Sequence, residues 1–123
     1  MRLLLDTHAV VWLAEDDQRL PKHVYSRIRD ADEIYVSFAS AWEYGLKRKK
    51  WPESFKNNFA YLLNGIPAQC LAMEFDVHRF AEELPLIHND PFDRMLIAHA
   101  LHHGLTLVTK DRDIHRYPVK TFW

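Results

Sequence analysis

The sequence predicts an α/β fold: a parallel five-stranded sheet flanked by helices, in one domain over residues 1–123. Three observations predict it. Five short apolar, β-rich runs alternate with segments of helical spacing, and no two consecutive runs are joined by a hairpin turn. A chain of 123 residues, 48% of them hydrophobic, is long enough to bury a core between such layers.

Leu3, Leu4 and Leu5, closed by Asp6, suit a buried first strand. Ala9, Val10, Trp12 and Leu13 follow at near-helical spacing, with Thr7 placed to cap that helix. After a turn at Glu15, Asp16 and Asp17, Pro21 opens a second helix with Val24, Tyr25 and Ile28 on its inner face. Ile34, Tyr35 and Val36 form the second strand. Ser37 or Ser40 caps a helix over 41–50, which Trp51 and Pro52 stop. A further helix is expected over 53–64, with Phe55, Phe59, Leu62 and Leu63 inward and Gly65 and Pro67 closing it. Residues 70–73 give a weak third strand. Asp76 caps a helix bearing Val77, Phe80, Ala81 and Leu84, ended by Pro85. Asp90 and Pro91 start the most regular helix, 92–103, which Gly104 terminates. Strands at 105–108 and 119–122 complete the pattern. Trp and Phe residues at helical spacing read as core.

Composition excludes several chemistries. Three glycines, Gly45, Gly65 and Gly104, lie too far apart for a Walker loop or a G-x-G-x-x-G turn. A single cysteine, Cys70, allows neither an intrachain disulfide nor a cysteine zinc site, and fits a reducing compartment. No apolar stretch approaches a membrane span, and Asp6 comes too early for a signal peptide, so a soluble cytoplasmic protein is expected. Sixteen basic and seventeen acidic residues argue against gripping nucleic acid by bulk charge alone.

The acids are not evenly placed. Asp6 ends the first strand, Glu43 lies in the helix after the second, Asp93 is in the first turn of the helix leading to the Leu105 strand, and Asp111 follows that strand. Segments leaving the carboxyl ends of strands in an open α/β sheet line one crevice. Four carboxylates there would repel one another unless cations held them. Oxygen donors without cysteine point to Mg2+ or Mn2+, which can activate water and clamp a phosphate for in-line hydrolysis. With those four set aside, thirteen acids face sixteen bases, a mildly basic body that suits a polyanion.

Plainer roles fit the same residues. Asp6 can simply end a strand. Glu43 can pair with Lys47 at i,i+4, Asp90 caps its helix, and Asp93 favours the helix dipole. The Lys47 to Lys50 run is either a solvated face or a phosphate contact. His99 and His103, at i,i+4, read as surface or packing residues, with His102 facing elsewhere.

The motifs resemble those of PIN-domain ribonucleases, specifically the VapC-type toxins of bacterial toxin–antitoxin pairs. Leu4, Leu5, Asp6, Thr7, His8 and Ala9 through Leu13 resemble the first family motif. Val36 and Ser37 with Ser40, Ala41, Trp42, Glu43 and Lys47 resemble the second. His88, Asp90, Pro91, Phe92, Asp93 and Arg94 resemble an H-x-D-P-F-D-R signature, and residues 107–111 the last acidic motif. The resemblance implies a PIN-like fold. It also implies catalytic metal ligands at Asp6, Glu43, Asp93 and Asp111 for one or two Mg2+ or Mn2+ ions, with Thr109, Asp90, Ser37, Arg94 and Lys47 supporting the site or positioning substrate. It further implies an RNA substrate, a cognate antitoxin and a homodimer. His99 stands where the family often has Gln, and the segment Lys49–Asn58 lacks the glycine-containing loop often seen there.

Two other readings use the same residues: a phosphoaspartyl phosphatase or receiver-like module with Asp6 as acceptor and Lys110 assisting, and a non-catalytic protein that keeps the fold.

Overall fold

A computed structural model describes residues 1–123. The strands are β1 (Arg2–Leu5), β2 (Glu33–Ser37), β3 (Ala68–Leu71), β4 (Thr106–Val108) and β5 (Thr121–Phe122). They form one sheet in the order β3-β2-β1-β4-β5, and every neighbouring pair is parallel. The helices are α1 (Thr7–Ala14), α2 (Lys22–Arg29), α3 (Phe38–Lys50), α4 (Phe59–Leu62), α5 (Val77–Glu83) and α6 (Pro91–His103).

The central strand explains the apolar run at the start of the chain. Side chains alternate across a strand, so a strand covered on both faces carries no polar position. Leu3 and Leu5 enter a cluster with Val10, Val24, Ile28 and Tyr44, under α1 to α4. Leu4 enters the opposite cluster with Leu96, Ile97, Ala100 and Ile114, under α5 and α6. All three leucines are completely buried.

The order of the strands places the crevice. From β1 the chain moves outward through β2 to β3, then returns to β1's other side with β4 and continues to β5. The direction reverses between β1 and β4, and ligand crevices of open α/β sheets lie outside the strand ends at such a reversal. Asp6 leaves β1 at that point, its amide donating to the Val108 carbonyl of β4 at 3.1 Å.

Several sequence expectations are corrected. Asp6, not Thr7, caps α1, its Oδ1 accepting the Ala9 amide at 2.7 Å. Ser37 caps α3, which therefore starts at Phe38, while Ser40 lies buried inside that helix. The helix expected over 53–64 shrinks to α4. After Pro52, side chains of α3 take the backbone carbonyls a helix would have used: Arg48 donates to the carbonyls of Phe55 and Lys56, and Tyr44 to that of Asn57. β3 begins two residues earlier than expected, and β5 is preceded by a 3-10 turn at Ile114–Arg116. Tyr25 is exposed rather than inward. The aromatic residues of α3 are mostly not core: Tyr44 is buried, but Phe38 and Trp42 are 52% and 54% exposed. Gly104 ends α6 as expected, in the left-handed conformation at φ 65° that glycine adopts without strain.

No helix is long and apolar enough to cross a membrane.

Candidate active site

A cleft of about 400 Å³ lies at the carboxyl end of β1 and β4, and no hydrophobic residue lines it. Asp6, Glu43, Asp93 and Asp111 all face it, with Asp90 at its edge. Lys47 and Lys110 are the cations there, so five carboxylates meet two ammonium groups.

Each carboxylate is delivered by a different element. Asp6 is fixed by its cap bond and is only 7% exposed. The Thr109 hydroxyl, completely buried at the end of β4, also bonds it. Burial outweighs these bonds and, with the charges of Glu43 and Asp111, pushes the Asp6 carboxyl up to about 6. Glu43 reaches the cleft from the second turn of α3. The Thr7 hydroxyl donates to its Oε1 at 2.6 Å, and the Ser40 hydroxyl lies 3.1 Å from Thr7. Asp111 follows β4, its amide donating to Thr109 Oγ1 at 3.1 Å.

Asp93 enters in the first turn of α6. Burial, then the charges of Asp90, Glu43, Asp111 and Asp6, push its carboxyl up to about 7. Asp90 caps α6, its Oδ1 accepting the amides of Phe92 and Asp93. The plain capping reading of Asp90 therefore holds, and the cap fixes Asp93 against the cleft. The i,i+4 pairing of Glu43 with Lys47 is also present, at 3.5 Å. It leaves Asp6 and Asp111 with no ion pair.

Two residues expected to support the site lie elsewhere. Ser37 is buried behind α3 and bonds His99 Nδ1 at 2.7 Å, because the Ser37 side chain is used as a cap. Arg94 turns away from the acids. Its guanidinium donates to the carbonyls of Ala81, Leu84 and Pro85 and to the Tyr117 hydroxyl, tying the end of α5 to α6. His102 does not face elsewhere: it shares Glu74 with His103.

Sequence reasoning gave no cleft role to Thr7, His8 or His88, and set Lys110 beside Asp6 only in the phosphoaspartyl reading. Thr7, His8 and Lys110 line the cleft. His88 lies beside it, with Nδ1 accepting the Asp90 amide at 3.3 Å and Nε2 buried without a hydrogen bond, 3.8 Å from Asp93 Oδ2. The signal for Thr7 and His8 was their position beside Asp6 on α1. His88 and Lys110 belong to the very motifs that carry Asp93 and Asp111.

The donor set fits a hard divalent cation. It is carboxylate oxygen, the acids outnumber their partners, and burial together with the neighbouring carboxylates pushes Asp6 and Asp93 up, a penalty that a cation would relieve. His88, Asp93 and Asp111 each bring a donor atom within 4.8 Å of the others. The arrangement does not suit phosphoryl attack by Asp6, which is almost fully buried, and Lys110 Nζ sits 4.7 Å from the Trp12 ring centre.

Comparison with known proteins adds family evidence. A family model described as the PIN domain matches residues 3–120. Ribonuclease VapC22 of Mycobacterium tuberculosis is 32% identical, over 94% of this chain and 93% of its own length. Among solved structures, VapBC2 of Rickettsia felis, bound to a DNA fragment from its promoter, superposes with a TM-score of 0.73 at 17% identity. That match covers 99% of this chain and 98% of the other. DNA-bound VapBC of Salmonella typhimurium gives 0.71 at 20% identity, over 99% and 97%.

Proposed function

The chain belongs to the PIN-domain family, and from that membership together with the acidic cleft we propose that it is a metal-dependent endoribonuclease, the toxin of a toxin–antitoxin pair. The observation that carries this reading is the convergence of Asp6, Glu43, Asp93 and Asp111, from four separate elements, on one cleft with too few cations to balance them. In this reading those four residues are the catalytic ligands of one or two Mg2+ or Mn2+ ions. Such ions supply Lewis-acid stabilisation of a phosphodiester and a more acidic attacking water.

The chain's own residues set the geometry. Thr109 orients Asp6 and the loop to Asp111, and Thr7 orients Glu43. The Asp90 cap fixes Asp93. Lys47 and Lys110, both lining the cleft, attract the RNA phosphates toward it and hold the backbone by charge.

The partners follow from the same reading. The named structural neighbours are toxin–antitoxin complexes, which supports a cognate antitoxin protein for this chain. Phe38, Trp42 and Leu46 recur every fourth residue along α3 and stay exposed, an apolar face suited to an antitoxin or to a second copy in a homodimer. RNA cleavage by the free toxin would halt translation and growth.

The test is cleavage of total RNA by purified wild type, Asp6→Asn and Asp93→Asn in Mg2+ and in EDTA, with folding checked by circular dichroism. Wild type cleaves only with the metal, and each folded variant loses at least about 100-fold, the scale of one lost electrostatic contact to the transition state. Full cleavage by the Asp6→Asn, Asp93→Asn double variant overturns the assignment.

A further inference from the structure

α6 carries a second group of side chains of metal-ligating type at the end opposite the cleft. Its last two residues, His102 and His103, both turn to Glu74 in the loop between β3 and α5. His103 Nε2 lies 2.9 Å from Glu74 Oε1, and His102 Nε2 lies 3.6 Å from Glu74 Oε2. One donor atom from each residue falls within 4.8 Å of the other two. In a tetrahedral Zn2+ site with bonds of about 2.0–2.1 Å, neighbouring donors are about 3.3 Å apart. The two separations, the shorter of them a hydrogen bond in the metal-free chain, bracket that spacing.

The surroundings hold this arrangement together. His99, completely buried on the preceding turn of α6, places Nε2 3.1 Å from the Ala72 carbonyl. The same carbonyl accepts the Glu74 amide at 3.0 Å, so the loop carrying the carboxylate is tied to the helix carrying the imidazoles. Phe80 of α5 packs edge-on against the His102 ring, with centroids 5.4 Å apart. Ligands ordered in advance by such contacts lose less freedom on binding. The carbonyl end of a helix also favours a cation.

We propose that Glu74, His102 and His103 bind a Zn2+-class ion, with water completing the coordination, and that the ion fastens the β3–α5 loop to α6. This site is separate from the acidic cleft: Asp93 and His102 are nine residues apart on α6, about 13 Å of helical rise. The two sites also differ in taste. Two imidazoles and one carboxylate prefer Zn2+ to Mg2+, whereas an all-oxygen cleft takes Mg2+ readily.

The experiment is calorimetric titration of the untagged chain with ZnCl2 near neutral pH. Its background is the Asp6→Asn, Asp93→Asn double variant, which weakens the cleft. The expected result is one Zn2+ per chain, not displaced by millimolar Mg2+, with Glu74→Gln and His103→Ala each weakening binding at least about tenfold. Histidine-ring NMR signals of His102 and His103, and not of His8 or His88, shift on binding. Zn2+ binding that survives both substitutions, or that Mg2+ displaces, or that is absent, overturns the proposal. If the double variant does not fold, the same titration of wild type in excess Mg2+ decides between these outcomes. Because cleavage is not read, failure here leaves the ribonuclease assignment untouched.

Discussion

Replacing Asp93 with Asn is expected to stabilise the metal-free chain at alkaline pH while abolishing cleavage. Asp93 is largely buried among Asp90, Glu43, Asp111 and Asp6, and its carboxyl rises from 3.8 to about 7. An acid whose pKa is raised on folding binds more protons in the native state than in the unfolded one. Its contribution is therefore most favourable below pH 4 and is lost as pH climbs through 7. A rise of about three units corresponds to at most about 4 kcal/mol at 1.36 kcal/mol per unit. The side chain retains 21% exposure, and the cluster shares its charge, so on the order of 2 kcal/mol is expected to be recovered by the neutral amide. With a urea slope of roughly 2 kcal/mol per molar, the Asp93→Asn midpoint lies about 1 M above wild type at pH 8.5. The assay is urea unfolding followed by tryptophan fluorescence in EDTA at pH 4.5 and pH 8.5. At pH 4.5 the wild-type carboxyl is mostly protonated in the folded chain and most of the gain disappears. Mg2+ at about 100 times its Kd raises wild type by about 2.7 kcal/mol and helps the variant less. A variant equally destabilised at both pH values refutes the reasoning, because burial among like charges would then not govern this carboxylate.

Four further outcomes test the surroundings of the cleft. Thr109→Val leaves the Asp111 amide without its acceptor and removes one of the two donors to Asp6, the Ala9 amide remaining, so it is expected to cost about 1–3 kcal/mol in urea unfolding and to slow cleavage. Arg94→Lys is expected to lose at least about 1–2 kcal/mol, because a single ammonium cannot reproduce the planar fork that spans three carbonyls and Tyr117; equal stability of the two proteins would remove the clamp assignment. Lys47→Gln and Lys110→Gln are each expected to weaken RNA binding and lower the slope of log affinity against log salt by about 1, read by fluorescence anisotropy at several salt concentrations. Ser37→Ala is expected to cut RNA at the wild-type rate while losing about 1 kcal/mol of stability, since its hydroxyl serves the α3 cap and His99.

The sheet was legible because buried parallel strands leave a local mark. Leu3, Leu4 and Leu5 have no polar position to offer, and that alone distinguishes a strand covered on both faces. The four acids were legible because Asp6 and Asp111 follow strands closely, Glu43 lies in the second turn of the helix after β2 and Asp93 in the first turn of the helix before β4, and the order of the strands turns those addresses into one place. What was not legible depends on long side chains choosing among distant acceptors. Arg94 stands next to Asp93 in sequence, but on a helix adjacent residues diverge by about 100°, so the guanidinium reaches α5 while the carboxylate reaches the cleft. The helix expected over 53–64 failed for a similar reason. Its apolar spacing was correct, since Phe55 and Phe59 both pack on Tyr44, but Arg48 and Tyr44 bound its carbonyls first.

The same residue can be a cap and a cleft acid without conflict, and this explains why the simpler reading of each acid did not exclude the other. Asp6 Oδ1 accepts the Ala9 amide at the start of α1, and Asp90 accepts two amides at the start of α6. Both helices therefore begin at the rim of the cleft, with the positive ends of their dipoles directed to the acids. That field eases the crowding of the carboxylates, but burial and then the neighbouring charges still hold Asp6 and Asp93 above the usual carboxylate range. The cleft is thus held short of balance by its own fold, and the remaining deficit is the driving force with which it would take up a cation. Neutralising Asp93 removes part of that deficit. Gain of stability and loss of function in that one variant have a common cause.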